Sequence, residues 1–264
     1  MRKSIIALLA ASLVCGIANA DMTTTNDQGS LSTYLVLDSA LAHVEHSASI
    51  SSSFPGSVQP FAATKSSVSS GVTGFVNGGI SPSRIGFSGS LNVSDSTKAT
   101  FVLEQGFNLP SGETSNAAKS LAQNAGTGAG SSVAVNSSVN GQMFNRQANV
   151  GLTDKNLGTL KFGRVYMPEY DVASANDPLF ASQLFSPLGM SGTIGGGGGV
   201  SDVMRSDNTV RYSNKTNGIS YGATYKFGGV SGNSDNGKAY GLNGGLTVAK
   251  VSVDVAYQSN TDAV

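Results

Sequence analysis

Residues 219–227 read Ile-Ser-Tyr-Gly-Ala-Thr-Tyr-Lys-Phe, and apolar and polar side chains alternate along the whole segment. The odd-numbered positions are apolar, whereas the even-numbered positions carry Ser, Gly, Thr and Lys. A period of two indicates a β-strand with one apolar and one polar face. The same period recurs in residues 98–104, 238–248 and 251–258.

The same pattern predicts nine strands, at 32–43, 83–92, 98–107, 144–153, 158–165, 208–213, 218–227, 238–248 and 251–258. The connections alternate between long ones, of about 39, 36, 42 and 10 residues, and short ones, of about 5, 4, 4 and 2 residues. The apolar faces end in Tyr221, Phe227, Tyr240 and Tyr257, as in aromatic girdles at membrane interfaces. We therefore predict an all-β fold, an antiparallel transmembrane β-barrel with long extracellular loops and short periplasmic turns.

Composition excludes several other classes of protein. Of the 264 residues, 34 are glycine, and 16 basic residues balance 16 acidic ones. A net charge of zero lacks the basic footprint of a nucleic-acid binder, so no nucleic-acid partner is expected. After residue 20, no apolar run is long enough for a transmembrane helix.

The N-terminus reads as a cleavable signal peptide. Arg2 and Lys3 precede an apolar stretch at 5–14, and Ala18-Asn19-Ala20 forms a small-residue cleavage site. We predict that residues 1–20 are removed after Ala20 and that residues 21–264 form the barrel domain of an exported protein.

No catalytic set emerges from the sequence, so neither an enzyme nor a cofactor is predicted. The chain's one cysteine, Cys15, lies in the predicted signal peptide, and only two histidines are available as bases. His43 and His46 would point to opposite faces of a strand, which favours solvated side chains over metal ligands.

A secreted adhesin or autotransporter passenger built as a β-solenoid is the alternative. The composition, rich in Ser, Gly and Asn, suits such a protein. A solenoid should show a fixed internal repeat, and the sequence shows none; nor would its loops sort into long and short.

Several segments, in order along the chain, resemble the trimeric general porins of Gram-negative bacteria, especially those of β-proteobacteria. They are Ser-Arg-Ile-Gly-Phe-Ser-Gly at 83–89, Phe-Val-Leu-Glu-Gln-Gly-Phe at 101–107, Phe-Asn-Arg-Gln-Ala-Asn-Val-Gly-Leu at 144–152, Gly-Thr-Leu-Lys-Phe-Gly-Arg at 158–164 and Arg-Ser-Asp-Asn-Thr-Val-Arg-Tyr at 205–212. The resemblance implies a 16-stranded barrel that assembles as a homotrimer in the outer membrane. It also implies passive diffusion of small hydrophilic solutes and ions. On this basis, the nine predicted strands would be the N-terminal portion of the barrel domain.

The resemblance also implies a constriction, formed where the third long loop, at about 166–207, folds into the barrel. By position, Arg84 and Arg146 match the wall arginines of the family, with Arg205 and Arg211 as further wall residues; strand parity independently places Arg211 in the lumen. The available loop acids are Glu169, Asp171, Asp177 and Asp207, of which we favour Asp177.

Two features of the strands depart from the simplest expectation. Asn145, Gln147 and Asn149 are predicted to point outward, where a subunit interface would suit them better than lipid. Arg164 shares parity with Leu160 and Phe162, so it is expected either beyond the lipid zone or against a neighbouring subunit.

Overall fold

A computed structural model describes residues 15–48, 68–77, 80–107, 109, 110, 112, 143–178, 205–229, 231, 232, 235 and 237–261. These residues form one antiparallel sheet of eleven strands and one helix that we label α1 (Pro168–Asn176). The strands are β1 (Cys15–Asn26), β2 (Gly29–Ala48), β3 (Val68–Asn77), β4 (Arg84–Asn92), β5 (Thr97–Gly106), β6 (Gln147–Asp154), β7 (Gly158–Tyr166), β8 (Arg205–Thr216), β9 (Ile219–Lys226), β10 (Ala239–Val248) and β11 (Val251–Asn260).

Neighbours in sequence are neighbours in the sheet, in the order β1-β2-β4 and then consecutively to β11. The strand β3 lies off this path and pairs with the second half of β2. All nine predicted strands are confirmed, whereas β1 and β3 are additional. A hairpin order of this kind is unlike the stacked coils of a β-solenoid, which argues against that alternative.

Strand β1 begins at Cys15, inside the predicted signal peptide. Its register continues to the end of the strand, from Cys15 opposite Ala40 to Asn26 opposite Gly29. Cleavage after Ala20 stays a prediction, and it would leave residues 21–26 as the paired part of this strand.

The turns at one end of the sheet are short. Residues 27–28, 93–96, 155–157, 217–218 and 249–250 join successive strands there, while the long connections lie at the other end. The two-residue turn at 217–218 has positive φ at both Asn217 (49°) and Gly218 (79°), which matches a type I′ hairpin turn. The predicted alternation of long and short connections is therefore confirmed.

The two faces of the sheet differ in chemistry along whole ladders of paired residues. One ladder of the outward face runs through Phe101, Val150, Phe162, Val210, Tyr225 and Tyr240. A neighbouring ladder on the inward face runs through Ser90, Thr100, Gly151, Lys161, Arg211, Thr224 and Gly241.

Burial follows the reverse of the usual pattern for a water-soluble domain. Large apolar side chains on the outward face are exposed, among them Val150 at 60% and Val255 at 65%. Among the described residues, buried apolar side chains are few, namely Ala40, Val165, Met167, Pro168 and Ala239, whereas eleven buried residues are polar or charged. An exposed apolar surface on this scale suits hydrocarbon rather than water.

Within the described ranges, no helix has the length and apolar character needed to span a bilayer.

The predicted orientation of strand β6 is wrong. Because Ala148, Val150 and Leu152 take the outward positions, Gln147 and Asn149 lie on the inward side. Asn149 is buried, and its Nδ2 donates to the carbonyl of Arg164 (3.0 Å) beside a β-bulge between Gly163 and Val165.

The outward position predicted for Asn145 is also wrong, because its side chain is exposed neither to solvent nor to lipid. It is fully buried, its Oδ1 accepts from the Gly106 N–H (2.8 Å) and its Nδ2 donates to the Gly106 carbonyl (3.2 Å). The amides of Asn145 and Asn149 are thus used inside the chain and Gln147 lies on the inward side, so the three residues give no support to a subunit interface.

Lipid contact of the outward face can be tested with one matched pair of substitutions. Val150→Arg is expected to cost about 2–4 kcal/mol of unfolding free energy, because it places a cation against hydrocarbon. Thr100→Arg, on the inward face one strand away, is expected to cost less than about 1 kcal/mol, since its guanidinium stays in water. Denaturant unfolding of both variants in lipid bilayers measures the difference. Equal losses would contradict the assignment of the two faces.

Candidate functional site

Helix α1 returns over the inward face directly after β7. The sequence permits this because Met167 and Pro168, which start the helix, are buried against small residues of β10. A Cβ added at Gly241 would lie 3.2 Å from Cδ of Pro168, so the glycine allows the helix to approach the wall closely. The helix contacts β9, β10 and β11 and narrows the space in front of them.

A carboxylate on the wall, Glu104 of β5, is held by three side chains. The Nε of Arg146 donates to its Oε1 at 2.6 Å, and the hydroxyl of Tyr34 donates to its Oε2 at 2.7 Å. The Nε of Arg84 lies 3.5 Å from Oε2. Glu104 is only 5% exposed, so these contacts replace the water that a carboxylate would otherwise need.

Tyr166, the last residue of β7, joins Arg146 of this group to one more arginine, Arg205. Its hydroxyl accepts a hydrogen bond from Nη2 of Arg146 (2.8 Å) and another from Nη2 of Arg205 (3.0 Å). The guanidinium carbon of Arg205 lies 4.6 Å from the centre of the Tyr166 ring, which is a cation–π contact. Tyr170 of α1 stacks on the same ring, with centroids 4.8 Å apart.

Arg211 of β8 anchors α1 to the wall. Its Nη2 donates to Oδ2 of Asp171, and its Nη1 donates to the carbonyl oxygen of Tyr166 (2.5 Å). The ion pair ties the first turn of α1 to β8, opposite the contact between Pro168 and β10. The helix is therefore held from two neighbouring parts of the sheet.

The four predicted wall arginines are thus brought into one connected group, which we call the arginine cluster: Arg84, Arg146, Arg205 and Arg211. Among the predicted acids, Asp171 joins this cluster. Asp207 pairs instead with Arg164, whose Nη1 lies 2.6 Å from its Oδ1. Glu169 lies half-buried on α1, and Asp177 directly follows the last residue of α1.

Arg164 has the outward register that its parity predicted, because it pairs with Ala148. Its guanidinium is nevertheless buried, with Nε donating to the Asn145 carbonyl (2.7 Å) in addition to the ion pair with Asp207. These partners belong to its own chain and favour a position at the strand end over contact with a neighbouring subunit.

Sequence reasoning missed Glu104, Tyr34, Tyr166 and Tyr170. A signal for Glu104 was available, because it shares the polar face of β5 with Lys98 and Thr100. No comparable signal exists for Tyr166 and Tyr170, whose roles depend on where α1 returns. Among the described residues, no group of His, Cys, Asp and Glu side chains could hold a metal ion.

Residues 7–264 match the model of the Gram-negative porin family. The chain belongs to that family. It is 27% identical over 227 residues to an outer membrane porin protein of Bordetella pertussis. The aligned region covers 83% of this chain and 47% of the relative. The porin chain described here therefore spans about half the length of that curated relative.

Three solved structures share the fold. An anion-selective porin from Comamonas acidovorans gives a TM-score of 0.59 at 18% identity, covering 89% of this chain and 59% of that one. Salmonella typhi OmpF, in complex with daunomycin, gives 0.51 at 19% identity, with 90% and 56% covered. Vibrio cholerae OmpT, in a trimer form, gives 0.50 at 17% identity, with 89% and 52% covered.

The ion pairs of Glu104 yield a stability prediction. Glu104→Gln keeps an acceptor for Tyr34 but leaves the buried Arg146 without its charge partner, so a loss of about 3–5 kcal/mol is expected. Guanidinium-induced unfolding of the folded protein in detergent measures it. Loss of less than 1 kcal/mol, within the range of an exposed ion pair, would show that the pair does not stabilise the wall.

For a second carboxylate, Glu169, neutralisation is expected to raise the stability of the protein rather than lower it, and the size of the effect should depend on pH. Burial raises the pKa of Glu169 above its usual value, so the fold favours the neutral acid. Glu169→Gln is therefore expected to stabilise the protein slightly at neutral pH. The gain should vanish as the pH falls below the pKa of the unfolded state, where the carboxyl is neutral in both states. Unfolding curves of both proteins from pH 7 to pH 4 check the sign, and a gain that grows on acidification would contradict it.

Proposed function

We propose that this chain forms part of an outer-membrane porin, a water-filled channel for passive diffusion of small hydrophilic solutes and ions. The observation that carries the proposal is the arginine cluster, which lies on the polar inward face beneath α1 while the outward face is apolar. A sheet of this kind supports a hydrated passage enclosed by a lipid-facing wall. Transport of this type needs no catalytic step and no cofactor.

We further propose that the arginine cluster and Asp171 line the constriction of the channel, with Glu104 as an acid of the wall. Asp207 would not line the constriction directly, because its carboxylate neutralises Arg164, which lies outside the arginine cluster. Glu169 and Asp177, on or next to α1, remain candidate acids of the same loop.

The charges of this constriction are unequal. Within the described residues, four guanidinium groups meet two carboxylates, those of Glu104 and Asp171. In a narrow passage with walls of low dielectric constant, such a surplus attracts anions and repels cations. We therefore expect the channel to favour small anions.

The proposed assembly is a homotrimer in the outer membrane of a Gram-negative cell, reached by export with a cleaved signal peptide. Family membership supports the location, and the trimer form of the Vibrio cholerae protein supports the assembly. Asn145, Gln147 and Asn149 contribute nothing to this argument, as described above.

Reversal potentials in a salt gradient across planar bilayers test the constriction. Asp171→Asn should shift permeation toward anions, because Arg211 loses its counter-charge. Arg84→Gln should shift it toward cations, while Arg146 keeps Glu104 paired. Both shifts should shrink in about 1 M salt, where the Debye length falls to about 3 Å.

Lys155→Gln serves as the control, since Lys155 lies exposed in the short turn between β6 and β7. Its reversal potential should match that of the unmodified protein. If neither Asp171→Asn nor Arg84→Gln moves the reversal potential at low salt, these residues do not line the constriction.

A further inference from the structure

A second polar feature of the inward face lies on the short-turn side of the arginine cluster. It is a hollow of about 420 Å³, which we call the hydroxyl hollow. Side chains from six strands line it, chiefly Ser32, Ser88, Thr100, Thr153, Lys161 and Ser213. No carboxylate lies among the described lining residues.

Lys161 lies over a gap in the inward ladder. Its neighbour in β6 is Gly151, and beyond the glycine lies Thr100 of β5. A Cβ placed at Gly151 would be 3.1 Å from Cγ of Lys161 and 3.3 Å from Oγ1 of Thr100. The glycine thus lets the lysine stem lie along the wall toward the threonine hydroxyl, although two strand spacings, about 10 Å, separate their backbones.

The charge of Lys161 is not neutralised locally. The charged side chains near enough to act on it are Arg211 and Asp171, and these two form an ion pair with each other. Within the described residues, the Lys161 ammonium has no hydrogen-bond partner of its own, and the same holds for the side-chain hydroxyls of Ser88, Thr100 and Ser213. An ammonium and several hydroxyls therefore face one space with their donors available.

From this arrangement we infer that the hydroxyl hollow is a binding subsite for the oxyanion group of a small solute, a carboxylate or a phosphate. The ammonium supplies the opposite charge, and a hydroxyl beside it, such as that of Thr100, donates to a second oxygen of the same anion. A single-atom anion such as chloride would meet the charge but could not use donors on several strands at once. The inference rests on the proposed function, because it takes the hollow to be part of the solute pathway.

Binding to the purified, folded protein in detergent tests the inference without requiring a conducting pore. Isothermal titration calorimetry at pH 7 with inorganic phosphate, acetate and chloride, each as the sodium salt, separates the sources of the oxyanion. We expect phosphate or acetate to bind, and chloride to bind at least about tenfold more weakly. The tighter of the two oxyanions identifies the solute class.

Two variants and one control decide the role of the hollow. Lys161→Met should weaken oxyanion binding at least about tenfold, as expected for the loss of a charge-assisted hydrogen bond. Thr100→Val, which keeps the shape of the side chain, should weaken it about threefold or more and leave chloride unaffected. Lys155→Met, in the exposed turn, should bind as the unmodified protein does.

Phosphate and acetate affinities within twofold of the unmodified protein in both Lys161→Met and Thr100→Val would overturn the inference, as would chloride binding as tightly as the oxyanions. Conductance measured on the same preparations keeps the two proposals apart. A channel that conducts but shows no oxyanion binding contradicts only the subsite, whereas binding without conductance contradicts the porin function.

Discussion

The alternation of side chains across one antiparallel sheet is the constraint on which the rest of this structure depends. Because successive residues of a strand point to opposite faces, apolar residues on the outward face reserve every other position for the inward face. Those positions carry Ser, Thr, Gly, Asn, Lys and Arg, and their burial produces a wall whose polar groups must satisfy one another. The ion pairs of Glu104 and the bonds to Tyr166 follow from this requirement.

The sequence was sufficient for the outward ladders, the nine strands and the two classes of connection, because each depends on local periodicity. It was insufficient for β1 and β3. The run Thr23-Thr24-Thr25 in β1 does not alternate, and the Ser and Gly residues of β3 carry little apolar signal. Both strands are specified by pairing with the long strand β2, which is a property of the fold rather than of the segment. In β6, Gln147 and Asn149 were predicted on the wrong face, although Val150 and Leu152 already marked the outward one.

The residues of the candidate site likewise fall into those that the sequence could predict and those that it could not. The four arginines could be proposed from position and parity, and Asp171 could be proposed as one of several acids. The choice among those acids could not be made, since it depends on the contact of α1 with Gly241 and on the reach of Arg211. Glu104 lies in a regular strand. It was not predicted as a site residue, because the acids of the constriction were expected in the loop alone. The β-bulge near Gly163 likewise decides that Asp207 serves Arg164 and not the arginine cluster.

The position of α1 has a consequence for the order of folding. The helix lies between β7 and β8 in sequence, yet it packs against β9, β10 and β11, which are made later in the chain. Hairpins between sequence neighbours close small loops and form early, whereas contacts between distant segments wait for the elements that they join. The helix can dock only on a wall that already exists. We therefore expect the sheet to assemble first and its inward face to be narrowed last.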